Sequence, residues 1–129
     1  MTNSVKIDFI TFCSNLKSKF PTLKNLSVWS EWDCSNEGHA HSIVMSDLAM
    51  EMINWAINGE YEQVKRFLNE VESSFEKGDD TVIAFLGTDF TVTILECTNK
   101  SVRETIKQLM GKETYDAYRI NLRGYREPT

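Results

Sequence analysis

His39 and His41 lie two positions apart, and Cys34 lies five residues before the first of them. These side chains are the chain's best candidates for holding a metal or moving a proton. Zinc takes three or four such ligands, and a cysteine beside a histidine is the simplest activated nucleophile. On a helix, positions two apart diverge by about 200°, so the two imidazoles cannot share an ion there. In an extended segment they could, with Cys34 as the nearest third ligand. Cys34–His39–His41 matches no strong zinc spacing, and Cys13 and Cys97 have no CxxC context. The stretch is therefore read as the opening of a helix, and no metal is expected. Cys34 is a dyad partner of the histidines by sequence distance only. No GxSxG, P-loop or GxGxxG occurs, and the six glycines are scattered singly. Acidic pairs such as Glu60/Glu62 and Asp79/Asp80 suit helix starts, where the helix dipole favours negative charge. No catalytic residue and no cofactor is expected.

The elements that would carry these residues are helical by period. Val5, Phe9, Phe12, Leu16 and Phe20 recur at three- and four-residue steps, with Asn3 or Ser4 as cap and Pro21 as terminator. Residues 21–40 lack a period and read as a long connection holding Trp29 and Trp32, with at most a short helical turn. The two rings either fold back onto the core or anchor an interface. Ile43, Met45, Leu48, Met52 and Trp55 define a second helix, with Ser42 or Asn36 as cap and Asn58-Gly59 as its end. Tyr61, Val64, Phe67, Leu68, Val71 and Phe75 define a third, stopped at Gly78. The link is short, so these two helices should form an antiparallel hairpin. Residues 79–97 fit one helix capped at Asp79/Asp80, with Gly87 justified by close packing of a neighbour. A hairpin over 82–97 is the alternative. Two short helices follow, around Ser101–Met110 with a Ser101/Glu104 capping box and Lys112–Leu122. Residues 123–129 are expected to fray. The expectation is one all-α domain over 1–129, a compact bundle of about five or six helices.

Composition limits the function. The chain of 129 residues is ordinary in apolar content, has an odd number of cysteines, and shows no long apolar run. That reads as a reduced, cytoplasmic protein with neither a disulfide framework nor a membrane span, and the N-terminus is a poor signal peptide. The net charge of −5 is unevenly placed: residues 1–36 carry +1, residues 37–99 carry −9 and residues 100–129 carry +3. An acidic middle repels nucleic acid and anionic membrane and attracts basic proteins. The basic end interleaves Tyr115, Tyr118 and Tyr125, as a stacking surface would. An acidic molecule is a poor nucleic-acid binder, and an internal salt bridge from this end to the acidic middle is the preferred reading.

Three motifs are shared with a bacterial group of small helical proteins. Met45, Asp47, Leu48 and Ala49 match its MxDLA helix, and Gly78, Asp79 and Val82 match its GDxxV start. Met110-Gly111-Lys112-Glu113-Thr114 follows its LGPxT close, with Tyr115 or Tyr118 near the position of its tryptophan. The chain resembles this group over roughly residues 40–120. The resemblance implies an immunity protein of a polymorphic-toxin or contact-dependent growth inhibition system.

The function expected is therefore binding: neutralising a cognate, basic, nuclease-type toxin domain. A regulatory or scaffold helical module is the alternative. The partner face expected is Glu31, Trp32, Asp33 and Glu37 with Glu60, Glu62, Asp79 and Asp80. Their carboxylates would pair with Lys or Arg, and Trp32 would be the buried anchor. The protein is expected to be a monomer or weak dimer, with no nucleic-acid or membrane partner.

Overall fold

A computed structural model describes residues 5–31 and 38–128, with backbone alone at 30, 31, 38 and 39. It is all-α. Helix α1 spans Phe9–Lys19 and is followed by a 3-10 turn at Pro21–Asn25 and the short α2, Val28–Glu31. Helices α3 (Gly38–Ile57) and α4 (Tyr61–Lys77) are the longest. Then come α5 (Asp80–Phe85), a π turn (Leu86–Phe90) and α6 (Thr91–Leu95), without a break in the helical path. Helices α7 (Lys100–Leu109) and α8 (Lys112–Asn121) complete the set. No described helix is long and apolar enough to cross a membrane.

Helix α3 is the central element, packed against α4, the π turn, α6 and α7. Val44, Met45, Leu48, Ala49 and Met52 are fully buried along it. The α3–α4 link closes as a Schellman turn. Gly59, at φ 80°, donates its N–H to the Ala56 carbonyl and Glu60 donates to the Trp55 carbonyl. This left-handed position is the one Asn58-Gly59 predicts.

Several helix starts differ from the sequence expectation. Helix α1 begins after Asp8, whose carboxylate accepts the Thr11 N–H at 2.8 Å. Val5 lies outside it, 92% exposed. Upstream, Ile7 bridges in parallel to Gly78: its N–H donates to the Lys77 carbonyl and its carbonyl accepts the Asp79 N–H. That pairing draws the segment out of the helix. Ser42 is inside α3, and its hydroxyl donates to Asp89 at 2.6 Å. Helix α7 is capped by Asn99, which accepts the Val102 N–H, so Ser101 is already helical. Asn3, Ser4 and Asn36 lie outside the described residues.

Residues 80–95 are helical, and the hairpin alternative is overturned. Its apolar positions, Val82, Leu86, Phe90 and Ile94, recur every four residues and are all buried. Gly87 does not mark a close helix crossing, however, because an added Cβ would meet only the Phe75 ring, at 4.0 Å. It sits in the π turn, where its carbonyl accepts from the Thr91 hydroxyl at 3.0 Å and the Asn121 amide at 2.7 Å.

The last described residues, 127 and 128, are docked rather than frayed. The Pro128 carbonyl accepts from Arg103, and Glu127 accepts from Lys107 and Tyr118.

Gly87→Ala should raise stability by about 0.5–1 kcal/mol, since the backbone is helical and the methyl fits. Gly78→Ala should lower it by about 1–3 kcal/mol, because its Cβ would lie 2.6 Å from Val82 Cγ1 and 2.7 Å from the Ser74 carbonyl. Urea midpoints of the two variants check both signs.

Candidate functional site

Of the acidic residues singled out in the sequence, the described pairs Glu60/Glu62 and Asp79/Asp80 lie at opposite ends of α4. Glu60 and Glu62 stand exposed at the start of α4. Asp79 and Asp80 lie beyond its other end, at the start of α5. The helical residues 63–77 of α4 lie between the pairs, about 22 Å at 1.5 Å per residue. Asp79 is half-buried and committed to capping: its carboxylate accepts the Val82 N–H at 3.0 Å. Asp80 is exposed in the first turn. Glu31 ends α2, with its side chain outside the described set, and Trp32, Asp33 and Glu37 lie outside the described residues.

Trp29 turns inward. Its indole N–H donates to the Leu23 carbonyl at 2.6 Å, and Lys17 Nζ stands 4.4 Å from its ring centroid. It packs against the core rather than presenting a free anchor.

The chemistry-bearing side chains are placed as follows. His39 and His41 are both on α3, so the helical reading of that stretch stands. The His41 ring stacks on Phe9, with centroids 4.1 Å apart and planes 7° from parallel, and meets Phe85 edge-on. Cys13 is buried, which pushes its thiol up to about 12 despite Lys17 nearby. The reactive thiolate is thereby suppressed. Cys97 is half-buried, with Sγ 3.7 Å from the Asn99 carbonyl oxygen. Among the described residues, no group of three His, Cys, Asp or Glu could hold a metal ion.

The basic end is largely tied to its own carboxylates. Arg103 is 2% exposed and donates to the Cys97 carbonyl at 2.6 Å and the Pro128 carbonyl at 3.2 Å. Lys107 donates to Glu127 at 2.8 Å and Glu104 at 3.2 Å. Burial pulls the Lys107 pKa down, but these two carboxylates more than offset it and leave it raised. Burial and Glu127 together push the Tyr118 phenol up. Lys112 and Arg119 both pair with Asp116. The ion pairs of residues 100–128 thus stay within that segment among the described residues, rather than reaching the acidic middle. Tyr118 is fully buried and stacks on Tyr115, so the three tyrosines do not form an open stacking surface.

The surface with binding character lies on α3. Ile43, Met50 and Ile57 are 53, 49 and 54% exposed. Seven-residue steps place them in one row, drifting only about 20° per step. Met50, Ile53 and Ile57 also wall a groove completed by Thr93, Glu96 and Cys97. Sequence reasoning counted Ile43 among the apolar positions that define this helix, without telling core from surface. The row was legible in the spacing, but the breadth of the apolar surface on α3 concealed which side faces outward.

A family model matches residues 13–125, from the middle of α1 to the tail. The chain belongs to the DUF7674 family, a domain of unknown function. No curated protein and no solved structure matches it.

The matched span of this DUF7674 protein includes a polar tie that the sequence reading missed. Helix α8 starts at Gly111 without a side-chain cap of its own. Glu72, on α4, supplies one. Its carboxylate accepts the Glu113 N–H at 2.8 Å, the Thr114 N–H at 3.0 Å and the Thr114 hydroxyl at 2.8 Å. A Cβ at position 111 would overlap this carboxyl. Burial raises the Glu72 pKa, but the three hydrogen bonds and Lys112 more than offset this and leave it lowered. Glu127 is lowered too, by its hydrogen bonds from Lys107 and Tyr118. Groups depressed in the folded state stabilise it fully above their ordinary value, 4.5, and lose that contribution as pH falls through the folded value. Glu72→Ala should cost about 1–3 kcal/mol at pH 7. It should also flatten the loss of stability below about pH 4.5, as denaturant midpoints at pH 7, 5 and 4 would show.

Proposed function

We propose that this DUF7674 protein is a binding protein, an immunity protein that neutralises a basic toxin domain. The carrying observation is the half-exposed Ile43, Met50 and Ile57 row in a segment of net charge −9. Exposed apolar rows with polar borders are the usual mark of protein-binding surfaces. A nuclease-type toxin is basic because its substrate is a polyanion, and a carboxylate-rich inhibitor competes for the same face. Long-range attraction then speeds encounter, and apolar burial slows dissociation. The resemblance of the MxDLA, GDxxV and LGPxT-like stretches supports the same role. Such an inhibitor acts by occlusion and carries no catalytic group.

Co-expression with the protein encoded directly upstream tests this. Rescue of growth and a co-purifying complex are expected. A harmless upstream protein that forms no complex would favour the scaffold alternative.

The separation of the acidic pairs makes steering separable. Glu60→Lys/Glu62→Lys and Asp80→Lys, with the capping Asp79 left intact, should each lower the association rate about 3- to 10-fold at low salt. The difference should fade near 0.5 M salt. Stopped-flow association measures it, and an unchanged rate refutes the steering role.

A further inference from the structure

Helix α3 has neighbours on most sides, α2 and α5 among them, yet among the described residues one side stays about half exposed. Its inner faces meet α4, the π turn, α6 and α7. Its outer side carries Ile43, Met50 and Ile57, each about half exposed. From Ile43 to Ile57 is fourteen residues, or about 21 Å along the axis. That is the length of roughly four helical turns, and the seven-residue step is the spacing at which a second helix meets a first. The groove beside Met50 and Ile57 gives such a helix a place to lie.

The charge at the borders selects the occupant. Asp47 falls between Ile43 and Met50, Glu51 follows Met50, and Glu96 lines the groove. Among the described residues, no lysine or arginine lines it. Two copies paired through this row would bring these carboxylates together at the seam, where like charges repel. A helix with an apolar ridge and flanking Lys or Arg satisfies both the row and its rim.

We propose that the outer face of α3 is a docking seat for a basic amphipathic helix presented by the partner, with Ile43, Met50 and Ile57 taking its apolar ridge and Glu51 and Glu96 its cations. This deepens the immunity reading, on which the identity of the partner rests.

Two arms test the seat and that reading separately. In the first, the 15N-labelled protein is titrated with a synthetic 21-residue helix carrying Leu at heptad spacing and Lys at the flanks, and with its Glu-flanked counterpart. Chemical-shift changes along 43–57 and 93–97 with the Lys peptide, and at least tenfold weaker binding of the Glu peptide, are expected. Equal binding of both peptides, shifts elsewhere, or dimerisation through α3 in sedimentation would each overturn the seat. In the second arm, wild type and Met50→Lys/Ile57→Lys are titrated against the upstream-encoded protein. These exposed changes should leave the melting temperature within a few degrees and weaken the complex at least tenfold. A wild-type complex that the variant leaves unchanged overturns the seat and spares the immunity reading. A seat that takes the Lys peptide in a protein that ignores its upstream neighbour overturns the immunity reading alone.

Discussion

One carboxylate fixes the start of α8 and, through it, the placement of the tail. Glu72 reaches from α4 into the open N-terminus of α8 and satisfies two backbone donors and a hydroxyl there. Four N–H groups at a helix start lack partners within the helix, and a cap normally comes from the residue just before it. Here that residue is Gly111, whose missing side chain is what lets the carboxyl approach. With its first turn fixed, α8 places Tyr118 in the core and Asn121 over the π turn. Tyr118 then meets Glu127, and the tail closes over Arg103.

The π turn is the second joint. An unbroken helix over 80–95 would hold the Gly87 carbonyl within its own ladder. In the wider turn it accepts from the Thr91 hydroxyl and the Asn121 amide. Asp89, in the same turn, accepts from Ser42 on α3. The helix-breaking cost is thus met by polar bonds from two other helices. This crowded inner side of α3 directs its remaining apolar residues outward, so the exposed row follows from the packing that builds the core.

The helices were legible because their apolar positions repeat every three or four residues, as in Val64, Phe67, Leu68 and Val71. Their ends were less so. Asn99 displaced Ser101 because both can cap, and only the surrounding packing decides between them. Asp8 displaced earlier candidates because Ile7 is held by the backbone of Lys77 and Asp79. Glu72 was invisible as a cap because its donors lie 41 and 42 residues away. The separation of the described acidic pairs was hidden for a related reason. Counting charge along the chain gives the sign of a segment, but the rod of α4 sets Glu62 and Asp80 far apart. Row and groove needed the fold to show which side of α3 remains uncovered.

The clasp at the end of the chain has a consequence for synthesis. Arg103 is buried with its guanidinium on the carbonyls of Cys97 and Pro128, and Glu127 serves both Lys107 and Tyr118. A chain emerging from the ribosome makes α1 to α6 first, but α3, α4, the π turn and α6 keep faces that α7 and α8 cover only later. It cannot settle the cation on α7 or the phenol on α8 until residue 128 has emerged. A truncated product therefore carries a core with unanswered polar groups, which are costly when dry. The stretch up to residue 128 is thus part of what satisfies the buried polar groups of α7 and α8.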